Sequence, residues 1–264
     1  KNIHIYNAKT DNQVRPRKQQ LTWTADEAQK GKFPYYMLKE IYEQPDLLSE
    51  IASETQDQAK QLGTTLAAAQ RVYMVGAGTS AHAARAASIM FSHVAGRLIN
   101  WGIASEFDHR LNVIPNHSVM VALSQSGETM DLLEAVKKAK KRNITIMALV
   151  NVVGSSLWRE ADLKLPIGAG PEKGVASTKA FIVKIAHLML IAYAMADKLK
   201  EGQLLLTRAA KAAQLVVSEP VVDTIKALAK KLKNTEHMFV IGKGISYATA
   251  LESSLKIKEI SYIH

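Results

Sequence analysis

The residues best placed for chemistry are Ser124-Gln125-Ser126-Gly127-Glu128-Thr129, which follow the apolar run Val119-Met120-Val121-Ala122-Leu123. That run reads as a buried strand. Residues 130–141, with Leu132, Leu133 and Val136 on one face, read as the helix after it. A turn between strand and helix presents unpaired backbone N–H groups at the positive end of the helix dipole, where anions bind. Ser124, Ser126 and Thr129 add hydroxyls and Gln125 adds an amide, while Gly127 lets the backbone approach a bound group. This donor set suits a phosphate monoester. The plainer alternative is a capping box from Ser126 to Thr129 with Glu128 in the first turn. A cap uses one hydroxyl, however, and this segment has three.

Two further junctions share this character. Gly76-Ala77-Gly78-Thr79-Ser80 follows the strand-like Arg71-Val72-Tyr73-Met74-Val75. As a dinucleotide fingerprint it is incomplete, because Ala81 stands where a third glycine is expected. Thr79 and Ser80 read instead as ligands for sugar hydroxyls. Gly174-Val175-Ala176-Ser177-Thr178-Lys179 opens a long apolar helix reaching about Leu199, with Ser177 as its candidate cap. On the last helix, Lys256 and Glu259 are three residues apart and share a face. They are either a surface ion pair or a carboxylate that moves a proton beside a carbonyl with an ammonium next to it. Spacing does not decide between these. His82, His93, His109, His117, His187 and His237 have no metal-ligand spacing.

The elements that must hold these residues alternate in type. Strands are expected near 71–75, 98–103, 119–123, 144–150 and 163–167, with helices between them. A helix starts near Tyr35 and is expected to stop or restart at Pro45, with a second amphipathic stretch over 46–70. Ser155 is a plausible cap for a short helix. This alternation predicts an α/β protein, a three-layer αβα sandwich with a mainly parallel five-stranded sheet. In such sheets ligands bind at the carboxyl ends of the strands. After helices over 203–216 and 218–234 comes a strand-like run, His237-Met238-Phe239-Val240-Ile241, followed by Gly242-Lys243-Gly244-Ile245-Ser246. The Gly-x-Gly-x-Ser pattern has thus returned 166 residues after Gly76, which reads as an internal duplication.

The bulk properties narrow the function classes. The chain has 264 residues, a net charge of +10 and no cysteine, so disulfides, thiolate metal sites and cysteine nucleophiles are excluded. No apolar run approaches the length of a membrane span, and no signal peptide is visible. The positive charge raises nucleic acid as a partner. It is divided, however, between Lys9, Arg15, Arg17 and Lys18, the run around 137–142, and Lys226, Lys230, Lys231 and Lys233, the last two groups at helix ends. Stacking aromatics and a recognition-helix pattern are missing, and a basic balance also attracts phosphorylated metabolites.

Six strings in order, at 37–45, 104–107, 124–129, 151–157, 174–181 and 256–264, closely resemble the isomerase part of the glutamine–fructose-6-phosphate aminotransferases, which consists of two sugar isomerase (SIS) domains of flavodoxin-like fold. The resemblance implies conversion of fructose 6-phosphate and glutamine to glucosamine 6-phosphate and glutamate, in a cytoplasmic dimer of amino-sugar biosynthesis, without a cofactor or metal. It assigns Ser124, Gln125, Ser126 and Thr129 to the phosphate and Thr79, Ser80, Val175 and Ser177 to the sugar. Glu259 becomes the base moving a proton between C1 and C2, assisted by Lys256. Ala77 departs from the many relatives that have cysteine there. The ring-opening histidine, supplied by the neighbouring subunit, and a Schiff-base lysine lie beyond the position matching His264. By this reading residues 1–32 are a linker and the end of a glutaminase domain, 33–216 a first SIS domain with N-terminal helices, and 217–264 a linking helix and the start of a truncated second one. The piece is then expected to bind phosphosugar without completing catalysis. The alternative is a stand-alone phosphosugar-sensing SIS module.

Overall fold

The computed structural model describes residues 4–15, 24 and 26–264. Arg17 and Lys18, named above, lie outside them. A small hairpin comes first, β1 (Ile5–Tyr6) against β2 (Gln13–Val14), within the stretch expected to be a linker. Helices α1 (Tyr36–Glu54) and α2 (Gln56–Ala68) follow. Then come β3 (Val72–Gly76), α3 (Thr79–Ala95), β4 (Asn100–Ile103), a 3-10 turn at Ala104–Glu106 and the short α4 (Asp108–Leu111). The alternation continues through β5 (Val119–Ser124), α5 (Met130–Lys140), β6 (Thr145–Val150), α6 (Ser156–Glu160) and β7 (Leu163–Pro166). Helices α7 (Lys179–Met195), α8 (Leu199–Val216), α9 (Glu219–Leu232) and α10 (Ile245–Ser261) complete the chain.

The five strands β4-β3-β5-β6-β7 form one sheet in that order, and every pairing is parallel. Counted within the sheet this is the order 2-1-3-4-5, the flavodoxin-like arrangement that was expected. The strands read as unbroken apolar runs because both faces are covered. In β5, Val119, Val121 and Leu123 join the core with α1, α2, α3 and α7, whereas Met120 and Ala122 join the core with α5 and α6. Strand β6 alternates likewise, Met147 and Leu149 against Ile146, Ala148 and Val150.

Three boundaries differ from expectation. Pro45 neither ends nor starts a helix but sits buried inside α1. Proline removes the donor that the Ile41 carbonyl would receive, but α1 packs along both α7 and α8, and that tertiary contact outweighs the local cost. The long helix stops at Met195, short of Leu199, because Asp197 turns the chain in a left-handed conformation at φ +58°. The run 237–241 belongs to no sheet, since no strand lies beside it among the described residues. It bonds instead with the chain end, from Met238 N–H to the His264 carbonyl and from His264 N–H to the Glu236 carbonyl. Phe239 and Ile241 are consequently 94% and 92% exposed.

The two Gly-x-Gly-x-Ser turns have the same backbone. Gly78 precedes α3 at φ +50°, ψ −124°, and Gly244 precedes α10 at φ +61°, ψ −131°, a region closed to residues with a Cβ. α10 lies along α3, where the Arg85 guanidinium is held between the Trp101 and Tyr247 rings, 4.9 and 4.6 Å from their centroids.

His187 lies inside α7 and donates from Nε2 to the Ile167 carbonyl at the end of β7, at 3.0 Å. Burial pushes its pKa down to about 4, although the carbonyl bond raises it in part. Between about pH 6.5 and 4 the unfolded chain therefore binds a proton that the native state refuses, and stability falls as pH drops through that window. At ~1.4 kcal/mol per pKa unit this amounts to about 3 kcal/mol at most. Urea unfolding at pH 7 and pH 4 should show a smaller acid loss for His187→Gln than for the parent.

Candidate sugar-phosphate site

β3 and β5 are neighbours, with Gly76 paired to Leu123, and the helices that follow them lie on opposite faces of the sheet. This is the topological switch point, where a parallel sheet opens a crevice at its carboxyl edge. A cleft of about 250 Å³ lies there. Thr79 and Ser80 line it from the β3 side, and Ser124, Gln125, Ser126 and Thr129 from the β5 side. Val175 and Ser177 close it from the β7–α7 segment, and Lys256 and Glu259 from α10. Four segments far apart in sequence are thus brought together, and each site residue named from the sequence is among those lining the cleft.

The turn at 124–129 is self-supporting. Ser124 Oγ accepts from Gly127 N–H at 2.9 Å, and Ser126 Oγ accepts from Glu128 N–H at 3.1 Å. Both serines therefore use an oxygen lone pair inside the turn and keep a hydroxyl hydrogen to donate. The capping box is not formed, for α5 begins after Thr129 with no side-chain cap. Glu128 is no first-turn acid either. It accepts from Ser156 N–H at 2.8 Å, across at the start of α6, and that bond holds its pKa below the usual carboxylate range. Gly127 was expected to admit a ligand, but its close neighbour belongs to the protein. A Cβ there would fall 2.0 Å from Ser155 Oγ, at a φ of +70°.

The segment carrying Val175 and Ser177 is fastened at several points. Asn151 accepts from Ala169 N–H at 3.0 Å and donates to the Gly170 carbonyl at 2.8 Å. Glu40 of α1, buried, accepts from Lys173 N–H at 2.5 Å and Gly174 N–H at 2.8 Å. Glu172 accepts from Thr178 N–H at 2.8 Å and Ala180 N–H at 3.2 Å, so it caps α7. Ser177, the expected cap, instead donates to Glu172 Oε2 at 3.0 Å. Val175 stands at the rim, 99% exposed.

On α10, Lys256 contacts Glu259 at 2.7 Å and Glu252 at 3.4 Å, and donates to Thr79 Oγ1 at 3.1 Å. Thr79 passes its own hydrogen to Glu252 Oε1 at 3.0 Å, and His82 Nδ1 donates to Glu252 Oε2 at 2.7 Å. The pair is therefore no isolated surface bridge but one end of a network crossing from α10 to α3. Burial raises the Glu252 pKa, but His82, Lys256 and Thr79 together overcome this and lower it. Sequence reasoning passed over Glu252, although positions 252, 256 and 259 follow helical spacing on one face. It also passed over Lys184, fully buried on α7, whose Nζ donates to Ser80 Oγ at 2.6 Å. Burial pushes that ammonium's pKa down to about 8, with Glu172 and Glu252 opposing the shift and Lys256 adding to it. A lysine in an otherwise apolar stretch of helix was the available signal.

A parallel 2-1-3-4-5 sheet with donor-rich turns on both sides of its switch point is the arrangement of a SIS domain, and the SIS domain family model matches residues 65–194. A solved structure, the C-terminal domain of glucosamine-fructose-6-phosphate aminotransferase from Francisella tularensis, is 36% identical, with a TM-score of 0.75, covering 89% of this chain and 70% of that one. The glutamine–fructose-6-phosphate aminotransferase (isomerizing) of Symbiobacterium thermophilum is 38% identical over 95% of this chain, and that of Thermococcus kodakarensis 37% over 93%. The chain belongs to this aminotransferase family and matches its C-terminal isomerase region. It spans less than half the length of these curated relatives, 44% and 42% respectively.

Gly127 lies in the turn that walls the cleft, at φ +70° and against Ser155. Gly127→Ala should lower stability by about 2–4 kcal/mol, combining positive-φ strain with overlap on Ser155. Thermal melting checks this, and an unchanged midpoint would contradict the packing described.

Proposed function

We propose that this chain is the sugar-phosphate-binding isomerase part of an enzyme that converts fructose 6-phosphate and glutamine to glucosamine 6-phosphate and glutamate. The observation carrying this reading is the single cleft at the switch point, lined by Ser124, Gln125, Ser126 and Thr129 on one side and by Lys256 and Glu259 on the other. The turn at 124–129 takes the phosphate, through hydroxyl hydrogens left free by its internal bonds. Thr79, Ser80, Val175 and Ser177 surround the sugar. Glu259 is the base that carries a proton between C1 and C2, its carboxylate oriented by Lys256 at 2.7 Å. Spatial separation supports the division of labour, because an anion held at the helix start keeps the far end of an open-chain hexose within reach of α10.

The same reading gives the chain a glutaminase domain and a second copy of itself as partners, in the cytoplasm and in amino-sugar biosynthesis. It calls for neither cofactor nor metal, and for neither nucleic acid nor membrane. No helix among the described residues is long and apolar enough to cross a membrane. Residues 1–32 belong with a preceding domain and 33–216 form one SIS domain. The exposed run 237–241 with α10, from within residues 217–264, opens a second, whose sheet would cover Phe239 and Ile241.

Calorimetric titration of the chain with fructose 6-phosphate and glucosamine 6-phosphate tests the reading. Saturable binding is expected, and its absence would overturn the assignment. Ser124→Ala combined with Thr129→Ala should weaken that binding by about 2–3 kcal/mol, the scale of two charge-assisted hydrogen bonds. In the longer protein, Glu259→Gln should keep fructose 6-phosphate binding and lose isomerisation. Surviving turnover would remove Glu259 from the base role.

A further inference from the structure

Lys184 is the one charged residue lining the cleft that this assignment leaves without work. It sits on α7, flanked in sequence by Val183 and Ile185, and its side chain is fully buried. A buried ammonium needs strong partners to offset its lost hydration. Lys179, one and a half turns earlier on the same helix, has such a partner in Glu43 at 2.6 Å. Lys184 has only the neutral Ser80 hydroxyl as a hydrogen-bond partner among the described residues, at 2.6 Å, and no carboxylate at ion-pair distance. Both Lys184 and Ser80 line the cleft.

The chemistry of this contact is directional. A serine oxygen has one hydrogen to give and two lone pairs to receive with, and an ammonium can only give. Lys184 therefore occupies a lone pair of Ser80 from below, and the Ser80 hydrogen cannot turn back toward it. We propose that Lys184 is a positioning residue which, by donating to Ser80 Oγ, commits the Ser80 hydroxyl to give its hydrogen to an oxygen of the ligand in the cleft. This rests on the reading of the cleft as a phosphosugar site and adds to it a reason why Ser80 acts there only as a donor. The groups facing Lys184 are Ser80 on α3, Glu172 before α7, and Glu252 and Lys256 on α10. The two glutamates keep the ammonium charged near neutral pH. Once it loses its proton, the amine gains a lone pair, and Ser80 becomes free to donate away from the ligand.

The test is fructose 6-phosphate affinity, by calorimetry, for the parent, Lys184→Met, Lys184→Gln, Ser80→Ala and the Ser80→Ala/Lys184→Met double variant. Lys184→Met removes the donor and is expected to weaken binding about tenfold without lowering thermal stability. Lys184→Gln keeps a neutral donor and should restore most of that loss. The double variant should bind no more weakly than Ser80→Ala, because the lysine acts through the serine. Parent affinity should also fall more steeply between pH 7 and pH 9.5 than that of Lys184→Gln. Parent-like binding by Lys184→Met, equal weakening in the methionine and glutamine variants, or additive losses in the double variant would each overturn the proposal and leave the phosphosugar assignment standing. Failure of the parent to bind would overturn both. If Lys184→Met does not fold, equal pH profiles for the parent and Lys184→Gln overturn the proposal alone.

Discussion

The structure depends on one parallel strand pairing, β3 against β5, with Gly76 opposite Leu123. The two strands end side by side, but the chain leaves them toward opposite faces of the sheet. α3 joins the core shared with α1, α2 and α7, while α5 joins the core shared with α6. No helix can then cover the carboxyl end of the pair, and a crevice is unavoidable. Everything polar in the site is arranged around this gap. The turn at 124–129 forms one wall, Thr79 and Ser80 form another, and α10 reaches across because it packs along α3.

The cleft rests on buried polar groups, each compensated in a different way. Glu252 gathers three donors, and they outweigh the cost of its burial. Glu40 spends one carboxylate oxygen on two backbone amides, while its other oxygen has no partner among the described residues. His187 stays neutral and satisfies a carbonyl. Lys184 has a hydroxyl as its hydrogen-bond partner, while Glu172 and Glu252 at longer range favour its charge. Groups of this kind resist displacement, because any shift strands a desolvated dipole or charge. They fix the positions of lining residues that have little packing of their own.

The five strands of the sheet were legible because parallel strands covered on both faces leave runs of apolar residues that no exposed helix would carry. The lining residues were legible because small polar residues immediately after such a run have few other uses. What escaped notice was set by contacts across the chain. Glu172 displaced Ser177 as the cap of α7, and Glu128 bonded to α6 instead of to its own helix. No local pattern distinguishes a glutamate that caps from one that faces water. Pro45 misled because its local cost is real, whereas the compensating contacts with α7 and α8 come from 130 or more residues away. The run 237–241 has the composition of a strand, but a strand also requires a neighbour.

The segment from Ala169 to Ala180 is held by Asn151, Glu40 and Glu172, so Val175 and Ser177 stand at the cleft on a framework fastened by the protein's own side chains. Ordering a free loop costs about 1–2 kcal/mol for each residue immobilised. Here that entropy is lost when the chain folds, and none of it has to be drawn from the few contacts a small anion can make. A framework fastened in advance lowers the entropic cost of any contact made at Val175 and Ser177.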